Sequence, residues 1–145
     1  MQIEEIYLCS HRLRNVVEMI DADPLKKYHL SLRQCWLLLY INHRHPDGAS
    51  VTELHKELCI SKATLSERMK KLRCMDYIKV VCCKSDERKK KMLLSDSAKK
   101  VLPELSGIIQ HMNIAVKERM TDEDLQMLKG IEKELHDTIK EVEQQ

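Results

Sequence analysis

Between Tyr77 and Leu94 the chain leaves the three-to-four-residue rhythm that its apolar residues keep elsewhere. Tyr77-Ile78-Lys79-Val80-Val81-Cys82 is rich in β-branched residues, and Lys91-Met92-Leu93-Leu94 returns after a polar tip, Lys84 to Lys89. This pattern predicts two short strands joined as a hairpin. Every other apolar pattern in the sequence is helical, so the strands have only each other to pair with. With 3 Gly and 3 Pro in 145 residues, the chain is too poor in turn formers for an all-β sandwich or barrel. The same shortage excludes the Gly-rich phosphate loops of nucleotide-binding enzymes. The expected fold is therefore mostly α with one small β-hairpin, in a chain of single-domain length.

The helices announce their own starts. Ile3, Ile6, Leu13, Val17 and Ile20 form a one-sided stripe, ended by Asp21-Ala22-Asp23-Pro24 because proline cannot continue a helix. Ser31-Leu32-Arg33-Gln34 and Ser50-Val51-Thr52-Glu53 are capping boxes, in which a Ser oxygen and a Gln or Glu side chain satisfy free backbone N–H groups. They open an apolar helix from Leu32 to about His43 and a short one burying Val51, Leu54 and Leu58. Ser61 caps a helix from Lys62 to about Cys74, with Leu65, Met69 and Leu72 on one side and Thr64, Glu67, Arg68 and Lys71 on another. Ser95 caps a long helix through Leu102, Leu105, Ile109, Met112 and Val116, with Pro103 near its first turns. Thr121-Asp122-Glu123-Asp124 begins the last, whose stripe is Leu125, Leu128, Ile131, Leu135, Ile139 and Val142.

Charge separates the chain into regions. Residues 1–60 carry 7 Lys/Arg and 8 Asp/Glu, residues 61–94 carry 11 and 4, and residues 95–145 carry 7 and 11. A basic block inside an otherwise acidic chain is the footprint of polyanion binding or of a solvated lysine-rich face. Its position favours the first. It coincides with the second of two short helices and with the hairpin, the element order of a winged helix-turn-helix, in which a helix fills the DNA major groove. Lys62, Thr64, Arg68 and Lys71 are the candidate groove and phosphate contacts on double-stranded DNA.

These segments resemble the multiple-antibiotic-resistance regulator (MarR) family of bacterial transcription factors. Asp86-Glu87-Arg88 followed by Met92-Leu93-Leu94-Ser95 is similar to the family's wing pattern, and Ile60-Ser61-Lys62-Ala63-Thr64-Leu65-Ser66 to its recognition-helix entry. The chain departs from the pattern at Asp76, where the family usually has a helix-ending Gly, and at Ser95, Ala98 and Glu67. A basic residue is frequent at the last. The resemblance implies a homodimer whose terminal helices, within residues 1–30 and 96–145, interlock while residues 31–95 form the DNA-binding region. It further implies a repressor of a near-palindromic operator, released by a small organic effector. Arg88 would be the minor-groove residue of the wing and Asp86 its supporting ion-pair partner. Lys89, Lys90 and Lys91 would meet phosphates or keep the wing soluble.

Regulation leaves several alternatives open. Cys9, near the start of the first helix, resembles the reactive cysteine of the hydroperoxide-sensing branch, with His11 and Arg12 as sources of positive charge; the plainer expectation is a buried small residue. Tyr7, Trp36 and Tyr40 could line an effector cleft, although Trp36 and Tyr40, spaced i and i+4, also read as core. With no Cys-x2-Cys spacing and scattered histidines, no metal or cofactor is expected. The acidic start and the lack of a long apolar run predict a cytoplasmic protein with no membrane partner. No catalytic triad or phosphate loop points to an enzyme, which leaves a helical protein–protein adaptor as the rival to a DNA-binding regulator.

Overall fold

The computed structural model describes residues 3–20, 22–83 and 85–144, without the side chains of Cys83, Asp86, Glu87 and Arg88. The chain forms α1 (Ile3–Glu18), a 3₁₀ helix (Asp23–Tyr28), α2 (Leu32–Arg44), α3 (Val51–Leu58), α4 (Lys62–Cys74), β1 (Ile78–Cys83), β2 (Asp86–Leu94), α5 (Asp96–Lys117) and α6 (Asp122–Glu143). It divides into two compact units, residues 1–108 and 109–145. No helix among the described residues is long and apolar enough to cross a membrane.

The caps read from the sequence are in place. Ser31 and Ser50 each accept a bond from the N3 backbone N–H while Gln34 and Glu53 reach back to the cap N–H. Thr121 and Asp124 do the same for α6. The 3₁₀ helix is an addition that no stripe forecast. Pro24 sits in its first turn, where its missing N–H costs nothing. Its Tyr28 is tied to α5 by a hydroxyl hydrogen bond to Glu104, and Lys27 pairs with the same carboxylate at 3.2 Å.

In the first unit the core is built from Leu37, Leu38 and Ile41 of α2, Leu54 of α3, Leu65 and Leu72 of α4, Ile78 and Leu94 of the hairpin, and Leu105 of α5. Side chains of this kind stabilise a fold by ~1.5–3 kcal/mol each when fully buried. The hairpin lies against α2 through β2 and against α4 through β1. A third short stretch fastens it from the other side: Ala49 and Met92 exchange two backbone hydrogen bonds of 2.8 Å. Gly48, at φ +103°, makes that approach feasible, since a Cβ there would lie 3.1 Å from Lys91 Cβ and 3.3 Å from the Met92 carbonyl oxygen.

Asp76, which replaces the glycine expected at the end of α4, takes the left-handed conformation at φ 61°. Local bonds offset the cost. The Ser97 hydroxyl donates to the Asp76 carboxylate at 2.9 Å, and the buried Ser95 hydroxyl donates to the Asp76 carbonyl at 2.5 Å. Ser95 also accepts from the Ala98 N–H at 3.1 Å, which caps α5. The ends of α4, the hairpin and α5 are thus joined at one point.

The outer helices behave differently. No residue of α1 or α6 is buried. Ile3, Tyr7, Val16 and Met19 stand exposed along and just beyond α1, and Met127, Ile131, Ile139 and Val142 along α6.

Candidate nucleic-acid interface

The geometry of α4 begins with the turn that precedes it. Cys59 closes α3 in the left-handed conformation at φ 53°. The His55 ring donates from Nδ1 to the Ile60 carbonyl at 2.7 Å, which holds the three-residue connection. Ser61 then caps α4, accepting from the Thr64 N–H at 3.2 Å and donating to the Thr64 hydroxyl at 2.8 Å. With Leu65, Met69 and Leu72 buried where α3 and α4 meet, helical geometry turns the opposite face of α4 outward.

That outward face consists of Ala63, Glu67, Lys70, Lys71 and Cys74, all exposed. Of the expected contacts, Lys71 lies on it, and Lys62 is exposed at the helix start. Thr64 and Arg68 do not stand at its centre. Both are half-buried along the flank that borders the core. Burial and the nearby Arg33 push the Arg68 pKa down, while Glu67 opposes the shift; the guanidinium stays charged, as arginine does in proteins. The neighbours of Glu67 include Lys71, one turn on, at 3.4 Å. Polarity alone does not single out Lys70; its angle around the helix from the buried triplet does.

The hairpin is longer than expected. The register pairs Ile78 with Leu94 through Cys82 with Lys90, then shifts to pair Cys83 with Asp86. Lys89 and Lys90 therefore belong to β2 and not to a loop, because that strand begins at Asp86. Strand alternation places Lys91 and Lys79 on the face away from buried Met92 and Leu94, whereas Lys90 shares the latter's side beyond the core's edge. Lys79 was missed because it reads as one residue in an apolar strand. Asp86 and Arg88, the two wing residues drawn from the resemblance, have side chains outside the described residues.

The other candidates are dispersed. Trp36 and Tyr40 are together, with ring centroids 5.4 Å apart, but Trp36 is 43% exposed and so is not core. Tyr7 stacks instead on His11 of its own helix at 6.3 Å. Tyr40 and His45 both bond Glu57, the Tyr hydroxyl donating at 2.6 Å and His45 Nε2 lying at 2.8 Å. These bonds hold the Glu57 carboxyl below its usual range, while burial and Glu57 raise Tyr40. Cys9 is exposed and not a buried filler, whereas Cys35 is buried and its thiol is pushed up to about 11. Among the described residues no three His, Cys, Asp or Glu side chains gather as metal ligands do.

Residues 31–90, which span α2 to the hairpin, match the sequence model of the MarR family. They form a MarR-family domain. Solved structures extend the likeness of fold to nearly the whole chain. A Staphylococcus aureus MepR–DNA complex superposes with a TM-score of 0.69 at 17% identity, over 96% of this chain and 98% of the other. A MarR transcriptional regulator from Methanosarcina mazei Go1 gives 0.71 at 18%, over 94% and 98%. Staphylococcus aureus MarR in complex with salicylate and kanamycin gives 0.67 at 18%, over 95% and 92%. The MarR domain's winged helix-turn-helix is α3, α4 and the β1–β2 hairpin.

Proposed function

We propose that this protein is a MarR-type transcriptional regulator that binds double-stranded DNA as a homodimer, represses from a near-palindromic operator and is released by a small organic effector. The observation that carries the reading is the outward face of α4, a helix that packs on β1, together with the lysines of the β2 strand paired to β1. Lys62, Lys70, Lys79, Lys89 and Lys91 supply phosphate contacts, Lys71 faces the groove beside Glu67 with Arg68 flanking it, and Arg88 enters the minor groove with Asp86 supporting it. Phosphate contacts set affinity and salt dependence, not sequence choice.

The exposed apolar residues of α1 and α6 support the homodimer. Apolar residues exposed in a row along one helix, with Tyr7 at 71% on α1 and Met127 at 67% on α6, are of the kind that mark an interaction surface. Exposed Trp36 with half-buried Tyr40 beside it supports an aromatic effector, and a MarR of the same fold is known in complex with salicylate and kanamycin. Titration of a duplex at fixed salt tests the reading. Arg88→Ala is expected to weaken binding more than tenfold by loss of a charged groove contact, about 1.4 kcal/mol or more, and near-wild-type binding would reject the wing's role. Sedimentation should give twice the chain mass of 17.1 kDa.

A further inference from the structure

Glu67 is the one acidic residue of α4, and it lies at the middle of the face turned away from Leu65, Met69 and Leu72. Its side chain is 69% exposed, and it pairs with Lys71 at 3.4 Å on the same face. A carboxylate at that position works against generic affinity, because duplex DNA carries a negative charge about every 1.7 Å of its axis. It is tolerated where the groove offers hydrogen-bond donors. We propose that Glu67 determines the protein's sequence preference by accepting hydrogen bonds from the exocyclic amino group of a cytosine in the major groove. The proposal rests on the DNA-binding reading above and gives that reading a base.

The chemistry leaves little choice among the four bases. An ionised carboxylate only accepts. Guanine shows O6 and N7, and thymine shows O4, all acceptors that repel it. Adenine offers its N6 amino group with the N7 acceptor alongside. Cytosine alone presents N4 with no acceptor beside it on the same base. Lys71 completes the match. The Glu67–Lys71 pair sets an acceptor next to a donor, the complement of cytosine N4 and the O6 of its paired guanine. Isolated on the helix surface such an i, i+4 pair contributes little, about 0.3–0.5 kcal/mol, so the carboxylate is not held back from a better partner.

The test is selection of duplexes from a randomised pool by the full chain, its Glu67→Gln and its Glu67→Ala, followed by titration of the recovered sites. Both replacements are good helix formers at an exposed position, so folding is preserved. Wild type should enrich cytosine at one position of the site. Glu67→Gln should move that position to adenine, because a Gln amide pairs with N6 and N7. Glu67→Ala should leave it degenerate and bind unselected duplex at least as tightly as wild type. Replacing the cytosine by thymine should cost wild type about tenfold and Glu67→Ala much less. The same base preferences in all three proteins would overturn the role of Glu67 and leave DNA binding standing. Failure of all three to bind any duplex at low salt would overturn the DNA-binding reading itself.

Discussion

Gly48→Ala tests whether the wing is fastened to the helical core by the Ala49–Met92 bridge. Two terms oppose the substitution. At φ +103° an L-residue is strained by ~1–3 kcal/mol. The added Cβ would also press on Lys91 Cβ at 3.1 Å and on the Met92 carbonyl at 3.3 Å, and a backbone oxygen in a ladder yields poorly. The stiffer unfolded chain returns about 0.4–1 kcal/mol. The net expectation is a loss of about 1–3 kcal/mol, a large share of the ~5–15 kcal/mol that holds a domain together. Urea unfolding should show a lower midpoint with an unchanged slope. Gly107→Ala and Gly130→Ala supply the contrast, since both glycines are helical with nothing within 4 Å of a built Cβ. Each should stabilise by about 0.5–1 kcal/mol. A Gly48→Ala protein within about 0.5 kcal/mol of wild type would mean that neither strain nor crowding is present at this position.

Other expectations follow from single contacts. Glu57 titrates below its unfolded value because His45 and Tyr40 bond its carboxylate; its contribution to stability is complete above the unfolded carboxyl pKa and is lost as pH falls through the lowered one. Urea midpoints measured across the acid range should therefore fall less steeply for Glu57→Gln than for wild type. Cys59→Gly should stabilise by about 0.5–1 kcal/mol in thermal unfolding, since it removes a side chain from the left-handed cap of α3. Alkylation of the native protein should label Cys9, Cys59, Cys74 and Cys82, with Cys35, buried and poorly ionised, reacting only on unfolding; mass spectrometry of the digested protein reads the order.

The parts of the fold legible in the sequence are those written by local chemistry. Ser31 with Gln34, Ser50 with Glu53 and Ser61 each state a helix start that no tertiary contact needs to supply, and the β-branched run from Ile78 states a strand. What escaped depends on partners distant in sequence. The 3₁₀ helix is secured by Tyr28 reaching Glu104, and the Ala49–Met92 bridge by a glycine whose purpose appears only beside Lys91. The candidate interface was half visible. Polarity identified the helix, but only the buried triplet fixes which polar residues point outward, and this brings Glu67 and Lys70 to the centre and moves Thr64 and Arg68 to the side. Exposure of α1 and α6 is the counterpart: their stripes predict helices correctly, yet no residue of either helix is buried.

The most direct measurement is the affinity of the full chain for an unselected DNA duplex, titrated at about 50 mM and again at about 200 mM salt. Measurable binding is expected at the lower concentration and a fall of ~10³-fold or more at the higher, as several lysines and arginines give up their phosphates together. Absence of binding at the lower concentration, or an affinity indifferent to salt, would contradict it and leave the protein–protein adaptor as the better description.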